Sequence, residues 1–163
     1  MMEETQERSL QREAVKIELA ATPTPFAELD PEVQLAIQCA ADKKAYDMIA
    51  LDLRDIASFT EFFIIATGSN QRQVQAIADE INEQLKKQLQ TRAVRIEGYK
   101  SAEWVLLDYG DFIVHIFEDK ARRFYDLERL WREGTRVQLP ADLRAEAAGG
   151  GAAPPGSDLR NGR

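Results

Sequence analysis

Cysteine and histidine are almost absent from this sequence, which contains one of each, Cys39 and His115. A single cysteine cannot form a disulfide within the chain, and a cysteine nucleophile would also need a histidine nearby in space. Cys39 lies instead in a helical pattern among alanines, which predicts a buried, unreactive thiol. A lone histidine on a strand is typical of a structural hydrogen-bonding residue, so we expect His115 to be neither a metal ligand nor a catalytic base.

An excess of positive charge is also missing, because the net charge is −7 at pH 7. The few basic clusters all have acidic neighbours: Lys43-Lys44, Lys86-Lys87, and Lys120 with Arg122-Arg123. Proteins that bind RNA gain most of their affinity by neutralising phosphates, so this composition predicts little direct RNA contact. An acidic surface is better suited to a basic protein partner.

The third absence is that of long apolar runs. No segment is long enough to cross a bilayer, and the charged N-terminus is unlike a secretory or transit peptide. We therefore expect a cytoplasmic protein without membrane contact. With 44% hydrophobic residues, the 163-residue chain is sufficient for one compact core.

Composition divides the chain into a central domain, residues 29–140, and two ends. Residues 1–28 are predicted to be a flexible or marginally helical arm, because Leu10, Ala14 and Ile17, and less regularly Val15, form a weak helical stripe. The prolines of the Thr-Pro-Thr-Pro segment at 22–25 interrupt that pattern. Residues 141–163, with their glycine run and small residues, are predicted to be a disordered tail.

Within the central domain, Asp30 followed by Pro31 predicts the start of a helix that runs to about Tyr46. Apolar runs predict strands at 48–53 and at 62–67, and the second is apolar without alternation, as in a strand covered on both faces. A long helix to Leu89 and a third strand at 93–97 follow. The strand at 62–67, the long helix and the strand at 93–97 together predict a right-handed parallel crossover.

The segment from Trp104 to Trp131 predicts a β-hairpin and a final helix. A short apolar run at 104–107, turn residues at 109–111 and an alternating run to Phe117 give the hairpin. Four residues then recur at helical spacing: Phe124, Leu127, Leu130 and Trp131. The predicted fold class is therefore α/β, with a mixed sheet of about five strands and flanking helices.

The segment most typical of an enzyme is Thr67-Gly68-Ser69, where a buried strand meets a helix and backbone N–H groups could hold a phosphate. Ser69 or Asn70 is explained at least as well as a helix cap. A nucleotidyltransferase would also need paired carboxylates for Mg²⁺, but Arg54 stands where an Asp-x-Asp pair beginning at Asp52 would need its second acid. We expect no enzyme, no cofactor, no metal ion and no small-molecule substrate.

The aromatic residues of the C-terminal third exceed what one sheet face and one helix stripe can bury. Exposed Trp, Tyr and Arg side chains are typical anchors of protein interfaces. Packing in the core explains Phe124 or Trp104 equally well when each is taken alone. Together with neighbouring charged residues, however, the group favours a binding surface. The candidate partner-binding residues are Trp104, Asp108, Tyr109, Asp111, Arg123, Tyr125, Glu128 and Trp131.

The same residues carry a resemblance to the ribosomal silencing factor family, also called Iojap-related proteins, over about residues 33–132. The matching segments occur in the same order over about a hundred residues. They are IALDL at 49–53, IIATGS at 64–69 with RQV at 72–74, EG at 97–98, WVLLDYGD at 104–111, VHIF at 114–117 and RFYDLERLW at 123–131.

This resemblance implies a translational repressor that limits translation under nutrient limitation or in stationary phase. Such a protein binds the large ribosomal subunit through its protein fourteen and sterically blocks joining of the small subunit. It further implies a nucleotidyltransferase-like fold without catalytic carboxylates, and a homodimer when the protein is free. Two other interpretations stay open at this point, namely a small nucleotidyltransferase using Ser69 and an adaptor for a different protein target.

Overall fold

The computed structural model describes residues 22–144, which form a seven-stranded mixed sheet with helices on both faces. The strands are β1 (Thr24–Pro25), β2 (Tyr46–Asp52), β3 (Phe62–Gly68), β4 (Arg95–Glu97), β5 (Trp104–Asp108), β6 (Phe112–Glu118) and β7 (Thr135–Gln138). The α-helices are α1 (Pro31–Asp42), α2 (Gln71–Leu89), α3 (Asp119–Tyr125) and α4 (Leu127–Leu130). Short 3₁₀ turns occupy Phe26–Glu28 and Ala141–Leu143.

The strand order is β1-β7-β2-β3-β6-β5-β4, in which β3 pairs with β6 and β1 with β7 in parallel, and the other pairs are antiparallel. The predicted mixed α/β class is confirmed, but the predicted count of about five strands is wrong. The two additional strands, β1 and β7, have two and four residues, too few to produce a readable period-two pattern. Whether the fold is nucleotidyltransferase-like stays a prediction.

The strands β3 and β4, which α2 connects, run in the same direction, as the predicted crossover requires. This follows because β3 is parallel to β6, whereas β6 is antiparallel to β5 and β5 is antiparallel to β4. However, β4 is not the neighbour of β3, because β6 and β5 lie between them. The predicted hairpin of β5 and β6 is confirmed, and in it Leu106 pairs with His115. Its turn contains Gly110 at φ 87°, a left-handed conformation that favours glycine.

Helices α1 and α2 cover one face of the sheet, which we call the helical face. Residues of both helices, among them Val33, Ile37, Ile77 and Ile81, pack on alternate strand residues such as Ile64 and Val114. The expectation that the first helix reaches Tyr46 is wrong. The helix ends at Asp42 because Lys44 adopts φ 66°, and Tyr46 already belongs to β2.

Two local predictions on the helical face are confirmed. Cys39 is buried, and burial raises the pKa of its thiol to about 12, so the unreactive form dominates. Asn70 caps α2, since its side-chain oxygen accepts a hydrogen bond from the Gln73 backbone N–H at 2.8 Å. Gly68 is required for close packing, because a Cβ atom there would lie 3.0 Å from Val74 Cγ2.

The opposite face, which we call the aromatic face, is covered by the short helices α3 and α4. The expectation of one helix through 124–131 is wrong: Asp126 adopts φ 48° and separates α3 from α4. The helix also begins earlier than expected, at Asp119, because the Glu118 carboxylate accepts hydrogen bonds from the backbone N–H groups of Lys120 and Ala121.

The predicted arm and tail fall mostly outside the described residues. Residues 22–28 of the predicted arm are described, and there Thr24 and Pro25 pair with Val137 and Gln138 of β7. The Thr24 hydroxyl also donates a hydrogen bond to Asp52 Oδ2 at 3.0 Å. Within residues 22–144, no helix is long and apolar enough to cross a membrane.

Candidate protein-binding surface

A row of aromatic rings crosses the aromatic face, and three of the predicted partner-binding residues belong to it. Successive ring centroids lie 4.5 to 5.9 Å apart, within the normal range for aromatic pairs. The members of this aromatic row are, in order, Tyr125, Trp104, His115, Phe63, Trp131 and Phe59. The middle of the row is buried, whereas Tyr125 and Phe59 at its ends are 45% and 57% exposed.

His115 holds the middle of the aromatic row together. Its Nδ1 accepts a hydrogen bond from Trp104 Nε1 at 3.1 Å, so the neutral ring carries its proton on Nε2. Burial lowers the pKa of the imidazole from its ordinary 6.5 to about 3. This confirms the structural role predicted for His115, which orients Trp104 within the sheet.

Glu128 makes an internal ion pair, although it was predicted to lie near a partner. Its carboxylate accepts hydrogen bonds from the Arg122 guanidinium at 2.9 and 3.1 Å, and Arg122 also donates to the Thr67 hydroxyl. Burial would raise the pKa of the Glu128 carboxyl, but the hydrogen bonds from Arg122 outweigh it and lower that pKa. Arg122, one of the basic residues clustered in the sequence, is therefore not on the surface: it is 7% exposed and joins α3, α4 and β3.

Next to this buried pair, α3 and α4 expose a group of large apolar side chains. Phe124 and Leu130 are 81% and 76% exposed, and Ile56 from the β2–β3 loop is 44% exposed. These residues, with Tyr125 and Trp131, border an open cleft of about 850 Å³. We call Ile56, Phe59, Phe124, Tyr125, Leu130 and Trp131 the α3–α4 patch. The predicted residue Arg123 lies at its margin and pairs with Asp119 at 2.6 Å.

The remaining three predicted residues lie at the hairpin turn and do not join the aromatic row. Asp108 accepts a hydrogen bond from the Gly110 N–H and pairs with Arg95 at 3.3 Å, and Asp111 is exposed. Tyr109 is only 9% exposed, and its ring stacks on Phe112 within the helical-face core. Its burial separates Tyr109 from any partner surface on the opposite face.

The segment most typical of an enzyme borders a cleft of about 620 Å³ between α2 and α3. Two carboxylates, Glu103 and Glu118, and one ammonium group, that of Lys120, line this cleft, so its charged lining is net negative and disfavours a phosphate. Asp52, the other acid considered for Mg²⁺, pairs with Arg54 at 2.6 Å. Burial would raise the pKa of Asp52, but hydrogen bonds from Arg54 outweigh burial and lower it. Among the described residues, no three acidic, histidine or cysteine side chains are grouped to hold a metal ion.

Besides His115, whose role was predicted to be structural, the aromatic row and the α3–α4 patch contain residues that were not predicted to bind a partner, namely Ile56, Phe59, Phe63, Phe124 and Leu130. Phe124 was considered, but packing in the core explained it equally well. Phe63 was assigned to a buried strand, which is correct, but its position in the aromatic row depends on strand pairing. Ile56 and Phe59 lie in a loop without periodicity, so only the folded structure brings them beside α4. Leu130 was expected on one helical stripe with Phe124 and Leu127. Because the helix breaks at Asp126, α4 takes a different direction and Leu130 points outward.

These features define the class of protein as a small mixed α/β domain with one helix-covered face and one face that carries exposed aromatic and apolar residues. Comparison with known proteins then gives the family. The family model described as "Ribosomal silencing factor during starvation" matches residues 27–158. The chain belongs to the ribosomal silencing factor family, as the sequence motifs indicated.

Individual relatives agree with this assignment. Ribosomal silencing factor RsfS of Halalkalibacterium halodurans is 43% identical over 110 residues, covering 66% of this chain and 91% of that protein. The protein of the same name from Bacillus subtilis is 38% identical, with 66% and 90% covered. A crystal structure of a Chromobacterium violaceum protein superposes with a TM-score of 0.60 at 38% identity, covering 68% of this chain and 88% of that one.

Proposed function

We propose that this protein is a non-enzymatic translational repressor that binds the large ribosomal subunit and sterically blocks joining of the small subunit. The observation that carries the proposal is membership of the ribosomal silencing factor family. The family resemblance further suggests protein fourteen of the large subunit as the contact, starvation as the condition, and a homodimer as the free state. A repressor of this kind acts on ribosomes, and the high similarity to bacterial relatives supports the cytoplasm as its location.

The charge and surface of the molecule support a protein contact in preference to an RNA contact. A net charge of −7 favours docking to a basic ribosomal protein and disfavours approach to the surrounding phosphates. The aromatic row ends in exposed rings, the type of side chain that anchors protein interfaces. Little direct RNA contact is therefore part of the proposal.

We assign the partner surface to the aromatic face, with Trp104, Tyr125 and Trp131 as its aromatic residues and Arg123 as its charged margin. Asp108 and Asp111 extend this surface towards the hairpin turn. Glu128 contributes indirectly, because its pair with Arg122 fixes α3 against β3. Tyr109 is left out of the surface because it is buried in the helical-face core.

Sedimentation through sucrose gradients tests the proposal. Purified protein is mixed with isolated large subunits, with isolated small subunits, and with both. We expect comigration with the large subunit alone and fewer complete ribosomes when both subunits are present. A protein that comigrates with neither subunit would refute the proposal and would leave an adaptor with another target as the better interpretation.

A matched pair of tyrosine variants tests the surface. Tyr125 and Tyr99 are similarly exposed, 45% and 40%, but Tyr99 hydrogen-bonds to Asp79 of α2, away from the aromatic row. Loss of an aromatic interface anchor weakens binding by about tenfold or more, so Tyr125→Ala should lose comigration while Tyr99→Ala keeps it. Circular dichroism checks that both variants fold. Equal binding by the two folded variants would place the interface elsewhere.

A further inference from the structure

The α3–α4 patch leaves large apolar side chains grouped at the surface, and such groups normally mark a binding site. Its cleft is lined by three arginines, Arg123, Arg129 and Arg132, and by two acids, Asp126 and Glu133. Neither Arg129 nor Arg132 has an ion-pair partner among residues 22–144. The patch is therefore apolar at its centre, and its margin carries charges of both signs, with Arg123 already paired to Asp119.

The path of the N-terminal segment leads to this patch. Thr24 pairs with Val137 in parallel, so residues before Thr24 lead back towards the beginning of β7 at Thr135. Residues 131–134 connect the end of α4 to that strand, and in this turn the Gly134 N–H donates a hydrogen bond to the Trp131 carbonyl at 3.0 Å. The described chain thus begins at the end of the sheet edge where β7 starts, and Trp131, a member of the patch, precedes that start by four residues.

The sequence of that segment complements the patch. Leu10, Ala14 and Ile17 have the spacing of one helical face. At about 100° per residue, Val15, the irregular member of that stripe, falls instead towards the far side of the helix, together with Leu19. Residues 1–21 contain five glutamates and three basic residues, a side-chain net charge of −2. The segment is thus net acidic and has one apolar stripe, and the patch is an apolar surface whose margin includes Arg129 and Arg132. The family match starts at residue 27, so this segment lies outside it.

We propose that the N-terminal segment of this chain docks on the α3–α4 patch as an amphipathic helix, with Leu10 and Ile17 against Phe124 and Leu130. Docking covers Tyr125 and Trp131 as well. The segment and any partner of the aromatic face then compete for the same side chains. The contact is intramolecular, so it does not depend on protein concentration, and it does not require the proposed function to be correct.

Backbone hydrogen exchange of the full-length protein tests this contact without ribosomes. The stripe variant is Leu10→Asp with Ile17→Asp, and the matched control is Val15→Asp with Leu19→Asp. We expect exchange at residues 122–131 to rise by about tenfold in the stripe variant and to stay unchanged in the control, because only the first loses the docked face. Neither variant alters the described domain, so both should fold.

Each outcome of the exchange experiment decides the proposal. Equal exchange in the stripe variant, the control and the unmodified protein would overturn it. Protection that rises with protein concentration in all three would also overturn it, because a second copy would then cover the patch. Since large-subunit binding is measured separately by sedimentation, failure of this contact and failure of the proposed function are distinguishable.

Discussion

The buried histidine predicts a loss of stability in mild acid. His115 is the only histidine in the chain, so its titration is not mixed with that of another imidazole. In the folded protein its pKa is lowered from 6.5 to about 3 by burial, and Nδ1 must stay unprotonated to accept the bond from Trp104. The unfolded chain therefore binds a proton at a pH where the folded chain does not. The contribution of the neutral, buried His115 to stability is present in full above the pKa that the histidine has in the unfolded chain. It is lost progressively as the pH falls below that value.

The magnitude follows from the two pKa values. At about pH 5 the unfolded histidine is almost fully protonated and the folded one is neutral, so the free energy of unfolding falls by about 2 kcal/mol relative to about pH 7.5. This loss of unfolding free energy hardly depends on the exact pKa of His115 in the folded protein, provided that the pKa lies well below about 5. Carboxylates with lowered pKa, such as that of Glu128, contribute mainly at lower pH.

Urea unfolding followed by circular dichroism at the two pH values measures this loss, and His115→Gln is the control. A glutamine carbonyl can still accept the Trp104 hydrogen bond but does not titrate. We expect the variant to lose only a few tenths of a kcal/mol between the two pH values. The same loss in both proteins, or a native His115 proton resonance that titrates near its ordinary pKa of 6.5, would refute the reasoning.

Two further predictions concern stability. Glu128→Gln should lower the free energy of unfolding by about 3 kcal/mol in urea titrations, because it leaves the buried Arg122 charge unpaired. The control is Glu83→Gln, which removes an exposed pair with Lys87 and should cost less than about 0.5 kcal/mol. Equal effects of the two substitutions would contradict the importance of the buried pair. Gly98→Ala should cost more than about 3 kcal/mol, because its Cβ would lie 2.1 Å from the Trp104 carbonyl oxygen, whereas Gly110→Ala, with open space around it, should cost about 1 kcal/mol. Similar melting temperatures for the two alanine variants would disprove the close contact at Gly98.

The parts of the fold that sequence predicts are those with long, regular patterns. The stripe of α2 and the alternation along the hairpin of β5 and β6 each repeat a period several times, and β3 is a continuous apolar run of strand length, so local chemistry determines all three. The two-residue strand β1 and four-residue β7 repeat no period and exist because a sheet edge is available for pairing. The end of α1 depended on a single left-handed residue, Lys44.

The candidate surface was predicted only in part, for a similar reason. Trp104, Tyr125 and Trp131 were identified because aromatic residues in excess of the core are visible in the sequence. Burial of Tyr109 and Arg122 depends on which face each side chain meets after folding, which spacing does not reveal. Likewise, Phe59 joins Trp131 only because a loop distant in sequence folds beside α4, with ring centroids 5.7 Å apart.

The pairing of β7 with β2 has a consequence for how the chain acquires its structure during synthesis. Leu51 pairs with Arg136, and β1 pairs only with β7, so the N-terminal edge of the sheet has no partner until residues 135–138 have been made. Contacts between residues so distant in sequence form late, because the chain must first close a long loop. The domain therefore cannot complete its sheet on a nascent chain until residues 135–138 have been translated and are free to pair with β1 and β2.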